Sequence, residues 1–213
     1  MNRRAFFSRG SALVGGAAAT GAAVAGLGLL GAPASAAEGR IPDVEVIDQD
    51  GRRFRFYRDL VQGRIVTLNF IFTSCGDTCP LVTQNLAQMQ DLLGPRVGRD
   101  VFMYSLTLQP EVDTPEVLKD YAAMYGVRPG WRFLTGAKDD MELLRKRLGF
   151  ASADPELDII KDEHTSMVRF CNEGLDRWGA CPALSRPEFL AKVIATQMVP
   201  GGDARPEDRV GAA

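Results

Sequence analysis

The stretch "IVTLNFIF", residues 65–72, is almost unbroken in apolar and β-branched side chains. A strand without polar alternation has to be covered on both faces, so it belongs at the centre of a sheet held between two layers. The rest of the chain supplies the covers. Leu81, Val82, Leu86, Met89, Leu92 and Leu93 recur at helical spacing after Pro80, and residues 101–108 read as a second strand. "DTPEVLKDYAAMYG" (113–126) offers Thr114 as N-cap, Pro115 at the first helical position and Gly126 as the stop. "WRFLTG" (131–136) predicts a short strand, and "DDMELLRKRLGF" (139–150) a helix with acids first and bases last, matching its dipole. Residues 42–47 and 52–56 form a hairpin around Asp50-Gly51, and "HTSMVRF" (164–170) a strand that turns at residues 172–174. Ser185 and Glu188 make a capping box ahead of a closing amphipathic helix. The expected class is α/β, a central mixed sheet flanked by helices.

The N-terminus bears on the compartment. "MNRRAFFSRG" sets Arg3 beside Arg4, no acid occurs before Glu38, and an Ala/Gly-rich apolar stretch over 11–31 leads to Ala34-Ser35-Ala36, a small-x-small cleavage pattern. These features predict a twin-arginine export signal over residues 1–36, a folded domain over 37–199 and a disordered tail over 200–213. The other reading of the signal is a retained membrane anchor, for which its Gly/Ala content makes a poor span. Either way the folded part is expected in the periplasm or on the outer face of the cytoplasmic membrane. Without residues 1–36, twenty-two basic and twenty-seven acidic side chains remain, with no block of like charge. That balance gives no nucleic-acid footprint.

Chemistry concentrates in "TSCGDTCP" (73–80), where Cys75 and Cys79 stand at the carboxyl end of the central strand, the place where open α/β sheets hold ligands. Residues four apart on a helix lie about 5–6 Å from one another, close enough to close a disulfide or to converge on one metal ion. A helix N-terminus favours the thiolate, which both attacks disulfides and binds metal; Asp77 opposes that shift, and could cap the helix or lend an oxygen. Three intervening residues, rather than the two of the usual dithiol oxidoreductase, tilt the pair toward a shared ligand. Two thiolates and an imidazole suit Cu(I), or Cu(II) with an added oxygen, whereas structural zinc normally wants a fourth protein ligand. His164, the one histidine in the chain, is the candidate third ligand. Met167 is a soft alternative for which a core strand position fits better. Cys171 and Cys181 flank a turn and are expected to form a structural disulfide worth about 2–3 kcal/mol, with a second redox pair as the alternative.

In this order "TSCGDTCP", "DTPEVLKDYAAMYG", "WRFLTG" and "EHTSMV" (163–168) resemble the Sco/SenC family of membrane-associated copper chaperones, across most of residues 40–197. The resemblance implies a thioredoxin-like fold, copper ligands at Cys75, Cys79 and His164, and a role in supplying copper to, or preparing the thiols of, a respiratory cytochrome oxidase. Two features depart from the family pattern: in "LQPEVDTPE" Gln109 replaces an acid and Val112 a base, and the Cys171/Cys181 pair is extra.

The expected function is thus an exported metallochaperone, with enzymatic thiol-disulfide exchange left open beside it. Its partners are a cytochrome oxidase subunit or other copper-accepting client and a thiol reductant, with membrane association through the N-terminal segment. The alternative is a periplasmic thiol-disulfide oxidoreductase without copper, in which Cys75 attacks, Cys79 resolves and His164 is a base or a bystander. A thiol peroxidase ranks last, because no arginine or lysine lies between Arg64 and Arg96.

Overall fold

The computed structural model describes residues 39–152, 154–158 and 166–197. The expected signal (1–36), the tail (200–213) and His164 lie outside the described residues. Among those described, the strands are β1 Glu45–Asp48, β2 Arg53–Arg55, β3 Ile65–Ile71, β4 Val101–Thr107, β5 Trp131–Gly136, β6 Met167–Asn172 and β7 Arg177–Pro182. They form one sheet in the order β2-β1-β5-β4-β3-β6-β7. The "IVTLNFIF" strand is central, as its composition demands: β3 runs parallel to β4 from Ile65↔Val101 to Ile71↔Thr107 and antiparallel to β6 from Ile65↔Asn172 to Leu68↔Arg169.

The helices are α1 Thr78–Leu93, α2 Pro115–Met124, α3 Lys138–Arg147, the single turn α4 Pro155–Asp158, and α5 Pro187–Gln197. They sort by sheet face. Val82, Leu86 and Met89 of α1, Leu118 and Tyr121 of α2, and Leu190 and Ile194 of α5 pack with Ile71, Met103, Trp131 and Val168. On the opposite face, Met141 and Leu144 of α3 and a turn at residues 56–61 cover Val66, Leu68, Phe70 and Leu106. Each such large side chain contributes roughly 1.5–3 kcal/mol by leaving water. A buried polar chain crosses the first face: Trp131 Nε1 donates to Ser105 Oγ at 2.9 Å, which donates to Asn69 Oδ1 at 2.7 Å.

Local signals place the element ends. Thr114 caps α2, its Oγ1 accepting from Val117 N at 3.4 Å, and Gly126 ends that segment at φ 64°. Two expectations need correction. Arg186, not Ser185, opens α5: its carbonyl accepts from Phe189 N and Leu190 N at 2.9 and 3.1 Å, so the capping box with Glu188 is out of step by one residue. The second strand of the first hairpin ends at Arg55, because Phe56–Val61 winds into a π-helical turn. Asp43 accepts from Tyr57 N and Arg58 N, both at 3.1 Å, and a carboxylate fourteen residues upstream is not visible as a cap in the sequence.

Candidate metal centre

The chain leaves β3 through a tight turn in which Cys75 N donates to Phe72 O at 3.2 Å, and α1 begins three residues later. Cys75 therefore precedes the helix and only Cys79 lies in it, so the two thiols do not share a helical face as their spacing predicted. They meet because the turn folds Cys75 back over the start of α1. Asp77 occupies the N-cap position, yet its side chain accepts no cap hydrogen bond. The sulfur of Cys75 takes that place, accepting from Cys79 N at 3.4 Å.

This geometry sets the chemistry of Cys75. Burial pushes the thiol up, but the N–H groups of Cys79, Asp77 and Thr78 outweigh it and hold the group below its ordinary value of 9.0. Cys75 is 8% exposed and Cys79 fully buried, both in the cluster under α1, and the two are not joined as a disulfide. The start of α1 thus favours the ionised form of one barely exposed thiol, and the other is fully buried beside it. Among the described residues, no three His, Cys, Asp or Glu side chains converge as a metal site.

The turn is fixed from beneath. Asp113, completely buried, accepts from Thr73 N at 3.3 and 3.4 Å and from the hydroxyls of Thr73 and Thr107. Gln109, the residue that departs from the family acid, accepts from Ser74 Oγ at 3.0 Å, and its own N–H donates to Thr107 Oγ1 at 2.8 Å. Val112 stands in solvent. Asp113 escaped the sequence reading. Its signal was there: Thr114 already caps α2, which leaves the preceding acid without a local task.

Met167 packs on the α3 face of the sheet, opposite to Cys75 and Cys79. The Cys171–Cys181 disulfide is contradicted by the register. Cys171 pairs with Trp178 and Cys181 with Val168, three steps away, so their side chains enter opposite faces and opposite clusters. An odd offset between paired strands always has this effect, and a disulfide needs Cβ atoms about 3.5–4.5 Å apart.

A family model described as SCO1/SenC matches residues 34–198. A SCO2-like protein of Rickettsia felis is 27% identical over 131 residues, 59% of this chain and 62% of that one. The chain spans about half the length of the curated relatives it matches. Among solved structures, a SCO1/SenC family lipoprotein from Bacillus anthracis has a TM-score of 0.60 at 22% identity, covering 74% of this chain and 94% of that one. Yeast Sco1 with copper bound has a TM-score of 0.58 at 20% identity, covering 76% and 93%. At these identities the likeness speaks for the fold, which is thioredoxin-like.

Proposed function

Because the chain belongs to the SCO1/SenC family, we propose that it is an exported copper metallochaperone whose cargo is held by the thiolates of Cys75 and Cys79 and the imidazole of His164. The observation that carries this reading is the Cys75 sulfur seated on the first N–H groups of α1, with Cys79 Sγ behind it in a dry cluster. Soft thiolates in that setting fit a soft ion. The third ligand is argued from chain direction. Traced backward, antiparallel β6 approaches the carboxyl end of β3, the end that carries Cys75, and residue 164 comes three positions before β6 begins.

Loss of two electrons and two protons would join the sulfurs as a disulfide and remove both thiolate ligands. Cargo release and thiol oxidation are then one coupled equilibrium, and a reductant partner returns the electrons. The copper-accepting client proposed is a cytochrome oxidase subunit. Residues 1–36 are proposed as the export signal that places the domain outside the cytoplasm; among the described residues no helix is long and apolar enough to cross a membrane.

The test is titration of the reduced protein with Cu(I) and Cu(II), read by thiolate-to-copper absorption, beside Cys75→Ser and His164→Ala. One tight equivalent lost in both variants supports the reading. The depressed Cys75 pKa also favours a second function, thiol-disulfide exchange with client cysteines. A readily reversible Cys75–Cys79 disulfide without tight copper binding would assign the protein to that class.

A further inference from the structure

On the sheet face away from the dithiol, a cavity of about 330 Å³ opens between the end of α3 and the β6–β7 hairpin. Ile41, Leu148 and Trp178 give it an apolar floor, and Arg40, Arg147 and Arg169 its charged walls, with no acid among the described residues that line it. Arg40 is already spent: it pairs with Asp176, which also accepts from Trp178 Nε1 at 3.1 Å. Arg147 and Arg169 have no carboxylate partner among the described residues.

Arg169 is held in position. Its guanidinium lies 5.7 Å from the Phe150 ring centroid and against Gly149, where a Cβ would come within 2.7 Å of it. Gly149 meets a second requirement at once. At φ 76° it closes α3 in a Schellman turn, with Gly149 N donating to Lys146 O at 3.1 Å and Phe150 N to Arg145 O at 2.9 Å. The carbonyls that would otherwise turn the negative helix end toward the cavity are thereby occupied.

We propose that this cavity binds an anionic amphiphile, a phosphate or carboxylate group carried on an apolar body. Two guanidinium groups with no carboxylate partner among the described residues present forked donors that match either oxyanion. The volume falls at the lower end of small-ligand pockets, well above what an inorganic anion fills, and the floor offers the remainder an aromatic and two aliphatic contacts. The site is independent of the copper reading.

Octyl phosphate below its micelle concentration is the probe, followed by Trp178 fluorescence with octanol and inorganic phosphate as controls. Saturable binding of octyl phosphate alone is expected, weakened about tenfold by Arg147→Gln and again by Arg169→Gln. Co-sedimentation with phosphatidylglycerol and phosphatidylcholine vesicles separates the sources. Binding to the anionic vesicles that falls in the double variant assigns a membrane lipid; octyl phosphate binding without vesicle binding assigns a soluble anion. Absence of saturable binding overturns the proposal. So does undiminished binding in Arg147→Gln alone, a change at an exposed helix end that leaves the fold intact.

Discussion

Asp113 and Thr73, forty residues apart in the chain, share a buried hydrogen-bonded contact that ties the dithiol turn to the loop after β4. The carboxylate takes both the main-chain and the side-chain donor of Thr73 and the hydroxyl of Thr107. Asp113→Ala leaves all three without that acceptor and is expected to cost about 2–4 kcal/mol in urea unfolding. Asp113→Asn keeps one acceptor oxygen and should cost less. Both should shift the Cys75–Cys79 reduction potential, because Thr73 lies two residues ahead of the sulfur. An unmoved potential in Asp113→Asn would confine Asp113 to stability.

The thiols should titrate in a fixed order. Cys75 lies below 9.0, whereas burial, reinforced by the carboxylates of Glu173 and Asp176, pushes Cys171 up to about 12. Iodoacetamide at pH 8 should modify Cys75 first and spare Cys171 until the protein unfolds. The linkage signs are opposite. Between the folded pKa of Cys75 and 9.0 the unfolded chain binds the extra proton, so stability rises with pH, and Cys75→Ser removes that rise. Between 9.0 and about 12 folded Cys171 keeps a proton that the unfolded chain gives up, so stability falls with pH.

Replacing Cys75 and Cys79 by serine leaves Cys171 and Cys181 as the only thiols. Purified without reductant, denatured and titrated with a thiol reagent, this variant is expected to show two free thiols per chain and a melting temperature insensitive to dithiothreitol. Zero thiols would restore the staple and refute the strand register.

Gly130 sits at φ 97°, and a Cβ there would lie 2.4 Å from Gly98 N, a backbone atom held by its bond to Val101 O at 2.8 Å. Neither side has room to yield. Gly130→Ala should therefore cost about 3 kcal/mol in chemical denaturation, against about 1–2 kcal/mol for Gly63→Ala, whose left-handed turn faces open space.

The central strand, the strands β4 and β5, and the positions of α1, α2 and α3 were legible because periodicity and capping act within a few residues. "WRFLTG" matches β5 residue for residue. The errors sit where a distant group or a register decides. The first hairpin is cut short by Asp43, and the fate of Cys171 and Cys181 rests on the turn between β6 and β7. There a 3₁₀ turn at Glu173–Leu175 and Asp176 in the left-handed region at φ 47° set the pairing. One residue more or less in that turn would have put both sulfurs on one face, and composition does not specify that length. At the candidate centre the two cysteines were readable from spacing. Their support by Asp113 was only half readable: the acid ahead of the Thr114 cap had no local task, but its partner Thr73 lies forty residues away.

The segregation of sulfurs by the sheet also limits oxidation chemistry. Four cysteines allow three complete pairings, and every one of them joins Cys171 to a thiol that lies across the sheet. A chain that folds before it meets an oxidant therefore closes at most one disulfide within itself. Any molecule found with two has been oxidised while unfolded, which makes disulfide count a record of the order in which folding and oxidation took place.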